Sequence, residues 1–343
     1  MADPITAQTP SPLTGLFAST EARLAVIAIV VFVAMSLLSP DRFLSAQNMT
    51  SMAFQFPEFA ILALAMTLTM LTGGIDLSVV GAANLSAIVA ATILTQFAGA
   101  GATGAEAVLW LGLSMAAAVA VGLAAGLFNG VAIAIFGLPP ILATLGSGLI
   151  FTGIAVALTG GSAVMGLPPV AAWLGNGLVA GIPVPLILFA VLAVGLSFIL
   201  TRTGFGLKVQ MFGANPLAAR FAAVNVTSLL IRVYLMSGVF AAIAGMVVMS
   251  RANSAKADYG SSYLLLAVLI AVLGGVNPYG GYGRVIGVVL AVLSMQFLSS
   301  GLNMLQVSNF ARELIWGTLL IFVMLVNTRP GLRLRRRKAA PHS

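Results

Sequence analysis

"LTGGIDLSVVGAANLSAIVA", residues 71–90, sets two adjacent glycines and an aspartate inside an otherwise apolar stretch. What Asp76 does there depends on the solvent around it, and composition identifies that solvent. Of 343 residues, 60% are hydrophobic and only 7% charged, with a mean hydropathy of +1.10. Soluble domains carry about 25% charged residues, so this chain reads as an integral membrane protein. Apolar runs near the length that crosses a bilayer recur from end to end. They lie near residues 24–38, 49–71, 77–97, 107–136, 142–158, 186–200, 229–250, 263–273, 285–298 and 310–326. The expected fold is therefore all-α and polytopic, with about ten transmembrane helices. Several runs fall short of the roughly 20 residues of a straight span, which implies interrupted helices or extension into neighbouring Gly/Pro segments. No cleavable signal peptide is expected, because the opening residues are polar and rich in Pro, Thr and Ser.

Charge orients the chain. With both termini cytoplasmic, the inner segments hold Arg23, Arg202, Lys208, Arg220, Arg232, Arg284, Arg329, Arg333, Arg335, Arg336, Arg337 and Lys338. The other side holds Arg42, Arg251, Lys256 and Arg312, a threefold bias that follows the positive-inside pattern. The organisation expected is a cytoplasmic N-terminal segment (1–22), a membrane domain (23–328) with a cytoplasmic loop at 201–228, and a basic cytoplasmic tail (329–343). The net charge of +8 is then an anchor for anionic lipid, and no nucleic-acid role is expected.

Missing residue types exclude chemistry. There is no cysteine, so disulfides, thiolate metal sites and cysteine nucleophiles are out. None of the three lysines follows a glycine, so the chain has no phosphate-binding P-loop. The one histidine, His342, is next to last, and no His/carboxylate cluster suggests a metal site or a serine hydrolase. No catalytic residue and no metal ligand is assigned. A conduit or a structural membrane protein remains.

A carboxylate at mid-membrane costs about 2.5–3.5 kcal/mol, so Asp76 needs a reason. Gly73 and Gly74 permit a sharp turn with freed backbone groups, tolerated at membrane depth only inside protein or along a cavity. Asp76 and Ser78 then stand at the start of the next helix, where side-chain oxygens cap N–H groups and negative charge meets the positive dipole end. A cap at a cytoplasmic turn and a direct part in substrate or proton passage are both open. A second break, "LGGVNPYGGYGR" at 273–284, repeats the Gly-Gly opening with Gly274 and Gly275. Farther along, Gly122, Gly126 and Gly130 recur every fourth residue, baring one helix face for close approach, with Asn129 beside it pointing into the bundle. Glu58 and Glu313 are expected at the outer boundary, Glu106 and Asp258 in outer loops.

In the loop 201–228, Asn215 reads as an N-cap and Pro216 as the first helical residue, with Leu217, Phe221 and Val224 on one face. A short amphipathic cytoplasmic helix follows, lying on lipid or presenting a knob to a soluble partner.

"MTLTMLTGGIDLSVVGAANLSAIVAA", "GLPPILATLGSGLIFTGIAVALTGG", "GANPLAARFAAVNV" and "ADYGSSYLLLAVLIAVLGGVNPYGGYG" together resemble the permease subunits of bacterial ABC importers for monosaccharides, the ribose, xylose, galactose, rhamnose and autoinducer-2 group. The likeness runs from about residue 22 to 328. It implies an inner-membrane permease that dimerises with itself or a paralogue, a separate cytoplasmic ATPase chain with two nucleotide-binding domains holding the ATP and Mg, and a periplasmic sugar-binding protein that delivers substrate. No cofactor is implied in this chain. The loop from Gly213 to Asn225, with Arg220, resembles the segment that couples such permeases to the ATPase. The chain departs from the group's usual Gly-Gly-Ile-Asp-Leu-Ser-Val-Gly in having Val80, with Gly81 one position late. The stretches "GSSYLLLAVLIAVLGGVNPYGGYG" and "GIPVPLILF" are slightly closer to the rhamnose and autoinducer-2 branch. Weak polar contacts for a passing substrate would come from Asp76, Ser78, Asn84, Asn129, Thr144 and Asn303. The alternative is a proton-coupled secondary transporter using Asp76, against which stands the poverty of carboxylates inside the spans.

Overall fold

A computed structural model describes residues 20–328; the basic tail, His342 and most of the N-terminal segment lie outside the described residues. Twelve principal helices make up the fold: α1 (Thr20–Leu38), α2 (Ala46–Met70), α3 (Val79–Ile93), α4 (Gly104–Ala134), α5 (Pro140–Thr159), α6 (Val184–Arg202), α7 (Gly204–Ala214), α8 (Pro216–Phe221), α9 (Val226–Ala252), α10 (Tyr263–Leu273), α11 (Val285–Met304) and α12 (Asn309–Thr328). Each of the ten apolar runs falls on one of these helices. Among the described residues, eight helices are long and apolar enough to cross a membrane, α3 being lengthened by a π-turn at Leu94–Ala98, and α10 is a shorter apolar helix.

Local chemistry sets several boundaries. Ser45 caps α2 by accepting the Asn48 N–H at 3.2 Å, and Asn225 caps α9 by accepting the Ser228 N–H at 2.9 Å. α9 ends where Asn253 takes left-handed φ (50°), a conformation Asn tolerates better than most residues. Two small antiparallel ribbons, β1 (Val164–Met165) with β4 (Ser254–Ala255) and β2 (Leu178–Val179) with β3 (Ile182–Pro183), and a one-turn helix at Trp173–Asn176 tie down the loops at the far end of α9. The sequence did not announce these pieces, since two-residue strands are too short to show alternation.

α2, α3 and α9 form the buried centre; α1, α4, α5 and α6 surround it with mostly exposed apolar faces. α9 packs on α4, α2 and α3, while α11 carries α1 and α10 lies against α2 and α12. The four-residue glycine spacing explains the closest crossing. A Cβ on Gly126 would run into the Tyr234 carbonyl, one on Gly122 into Gly238, and one on Gly238 back into Gly122, so the two backbones touch. Gly81 serves the same purpose toward α5, where an added Cβ would come 2.8 Å from the Gly148 carbonyl. The face of α3 that follows the displaced glycine therefore packs on α5.

The loop 201–228 holds two helices where the sequence reading had one. α7 was missed because Gly204, Gly206 and Gly213 make its eleven residues look like turn; Thr203 caps it, accepting the Gly206 N–H at 3.4 Å.

Candidate functional site

Asp76 is 2% exposed, buried beneath a turn whose Gly73 is exposed. Its Oδ1 accepts the Ser78 N–H at 3.0 Å and the Ser78 hydroxyl at 2.6 Å, and its Oδ2 accepts the Ser237 hydroxyl of α9 at 2.7 Å. Ser78 in turn accepts the side-chain amide of Asn129 on α4 at 2.7 Å. The capping foreseen for this corner is thereby refined. Asp76 caps the N–H of Ser78, whereas the Ser78 hydroxyl, at the N-cap of α3, caps nothing and is spent on Asp76. Thr144 at the start of α5 fastens the same corner from the other side, taking the Leu77 N–H at 3.0 Å and lying 2.9 Å from the Ile75 carbonyl. Four of the six polar residues singled out in the sequence thus join in one buried cluster. Asp76 forms no ion pair among the described residues. The Tyr234 hydroxyl, against which a Cβ on Gly74 would press at 2.6 Å, and Asn129 Oδ1 have no hydrogen-bond partner there.

The other two residues lie elsewhere. Asn84 is buried within α3 and donates to the carbonyls of Ala257 and Tyr259, both at 2.8 Å, pinning the loop after α9. Asn303 is exposed near the end of α11 and lines a cavity at the opposite end of the bundle from the turn at 71–78.

The two helix breaks, 200 residues apart, meet. Leu71 at the end of α2 gives its carbonyl to the Gly281 N–H at 3.0 Å, and a Cβ on Gly280 would lie 2.7 Å from the Gly73 nitrogen. Gly73, Gly275, Gly280 and Gly281 all have positive φ (78°, 82°, 94° and 84°), which only glycine adopts freely. Into this junction comes Gly213, the penultimate residue of α7: a Cβ there would collide with the Leu71 carbonyl and the Gly281 nitrogen. Two residues later Asn215 starts α8, its side chain accepting the N–H groups of Leu217 and Ala218, both at 3.0 Å. α8 then presents Leu217 and Phe221, 62% and 84% exposed, with Arg220 exposed between them. Val224, half-buried, packs back toward the core.

Sequence reasoning missed Ser237 and Tyr234, whose relation to Asp76 depends on how α9 is placed. It also set Glu58 at a watery boundary. Glu58 is instead 4% exposed, paired with Arg251 at 2.5 Å and accepting the Tyr263 hydroxyl at 2.8 Å. A carboxylate twelve residues beyond the first residue of a span-length helix escapes water because α9 and α10 cover it.

A bundle of span-length helices, broken where a loop with an exposed apolar helix locks onto it, is the build of a multi-pass membrane transport component. The chain belongs to the family described as branched-chain amino acid transport system / permease component, whose model matches residues 48–326. Among its relatives are the autoinducer 2 import system permease protein LsrD of Enterobacter sp. (34% identical, covering 89% of this chain and 91% of the relative) and the ribose import permease protein RbsC of Escherichia coli (33%, 88% and 92%). The D-allose transport system permease protein AlsC of Escherichia coli is 31% identical over 86% of this chain and 87% of its own length. No solved structure matches the chain.

Proposed function

We propose that the chain is the membrane subunit of an ABC importer for a monosaccharide or sugar-like molecule of the ribose, rhamnose or autoinducer-2 type, delivered by a periplasmic binding protein. It spans the inner membrane ten times with both termini in the cytoplasm, and pairs with a second copy or a paralogue. ATP and Mg are bound by a separate ATPase chain, which docks on Leu217, Arg220 and Phe221. One observation carries this reading: Gly213 is wedged against both helix breaks while the helix capped two residues later by Asn215 presents Leu217 and Phe221 exposed. A push on α8 therefore reaches Leu71 and Gly281 through backbone contact, with no flexible side chain between. The relatives named for autoinducer 2, ribose and D-allose supply the substrate class. For the proton-driven alternative, Asp76 would have to release Ser78 and Ser237 in every cycle, and no observation favours that.

The experiment is affinity purification of the tagged chain from gently solubilised native membranes, beside a Phe221→Asp variant, with uptake of D-ribose, D-allose and autoinducer 2 measured in the same cells. The unsubstituted chain should bring down an ATPase with two nucleotide-binding motifs, and the variant should lose both ATPase and uptake at unchanged membrane level. Retention of the ATPase by the variant would sink the docking assignment. Absence of any ATPase, with uptake abolished by a protonophore, would replace the importer with a proton-driven carrier.

A further inference from the structure

At the end of the bundle away from α8, two adjoining cavities of about 320 and 490 Å³ share Gln55, Ser299 and Arg312 in their walls. They enter between α2, α11 and α12 and fall in the size range of small-molecule sites. Gln296, 3% exposed, lines the inner one. It stands eight residues before the end of α11, roughly 12 Å into the bundle at the helical rise. No described residue hydrogen-bonds to the side chains of Gln55, Gln296 or Ser299. Buried polar groups are nearly always satisfied, and Gln296 is buried while half-buried Ser299 and exposed Gln55 line the same space, so what satisfies Gln296 enters that space from solution.

The lining also states what kind of molecule fits. Amides and a hydroxyl offer donors and acceptors together, the set that a polyol needs. Charges in the two walls come in both signs: Arg251 is held by Glu58 at 2.5 Å, Arg312 and Glu313 both line the inner cavity, and Asp41 and Arg42 both line the outer one. An ion of either sign therefore gains no net attraction. Phe59 and Trp316, 5% and 8% exposed, supply flat apolar surfaces for the C–H face of a sugar ring. The side chain of a branched-chain amino acid, by contrast, would meet amides. We infer that this double cavity is a binding site for a neutral, polyhydroxylated small molecule, with Gln55, Gln296 and Ser299 as its hydrogen-bonding residues. The inference rests on the importer reading and assigns the entrance of the path to residues that reading did not contain, Asn303 in the outer cavity excepted.

Because the chain has no cysteine, Ser299→Cys gives a label whose only site on this chain is position 299, read on the chain after it is purified from the fragments. Native membrane fragments holding the full complex are treated with a charged methanethiosulfonate, with and without D-ribose, D-allose or L-leucine at high millimolar concentration. Uptake of the same compounds is measured with the unsubstituted chain. Asn303→Cys is a second reporter, and Ser294→Cys, fully buried and outside the cavity, is the unreactive control. A sugar that the complex takes up should slow labelling at position 299, L-leucine should not, and Gln296→Leu should weaken the protection about fivefold, the worth of one hydrogen bond. The inference is overturned if a transported sugar leaves labelling at both reporters unchanged, or if Gln296→Leu keeps full protection. Uptake of no sugar, or protection by L-leucine alone, would instead bring down the substrate class proposed above, and this inference with it.

Discussion

Asp76 is held by three hydrogen-bond donors and no cation, so its removal is felt through the groups it leaves behind. In Asp76→Ala the Ser78 N–H and the hydroxyls of Ser78 and Ser237 lose their acceptor in a dry interior, a loss of roughly 1–3 kcal/mol per orphaned group, not fully additive. Asp76→Asn keeps one oxygen and should cost less. Thermal unfolding of the detergent-solubilised proteins ranks the two; an Asp76→Ala protein as stable as the parent would show that the cluster does not hold the turn. The Glu58–Arg251 pair should behave asymmetrically. Glu58 is deeply buried while the Arg251 side chain is 32% exposed, so Arg251→Gln strands a charge that Glu58→Gln does not. Breaking a fully buried pair this way costs about 3–5 kcal/mol, and the exposure of Arg251 puts this case at or below the low end. In the same unfolding assay Arg251→Gln should be the less stable variant, and the reverse order would contradict the burial of Glu58.

At the scale of elements, α4 offers a matched pair of glycines. A Cβ on Gly126 would strike the Tyr234 carbonyl of α9, while one on Gly112, in the same helix, would meet nothing within 4 Å. Gly126→Ala should therefore destabilise by about 1–3 kcal/mol through overpacking. Gly112→Ala should be neutral or stabilising by roughly 0.5–1 kcal/mol, because a helical glycine is entropically costly. Equal effects in the two would mean that α4 and α9 do not cross where the glycine stripe puts them. The stripe was readable in the chain as a four-residue repeat, and so was the start of α8, since Asn-Pro capping is written in adjacent residues. α7 was not readable, because Gly206 and Gly213 are there for close approach to Leu200, Leu71 and Gly281, and locally such residues look like turn.

For the whole molecule, the wedge at Gly213 separates assembly from transmission. Gly213→Ala alters none of the exposed surface of α8 but cannot keep the contact with Leu71 and Gly281. It should leave ATPase association intact and reduce uptake by a factor within the roughly 5–150-fold range of ordinary coupling energies. Pull-down and uptake on one membrane preparation test this; full uptake would show that force reaches the bundle by another contact.

The sequence by itself determined the solvent, the ten apolar helical segments, the positions of both breaks and the cap that begins α8, because each is fixed by hydropathy or by residues within one or two turns. Only the tertiary structure decided that Asp76 is bound to Ser237, 161 residues away, that Glu58 meets Tyr263 across 205 residues, and that the two breaks converge on Gly213. In a chain this apolar, nearly every helix face is hydrophobic whether it meets lipid or protein, so periodicity cannot say which faces are buried or which polar residues meet. That is settled by close packing, through the glycines that let backbones touch and the polar groups that must find one another once water is gone.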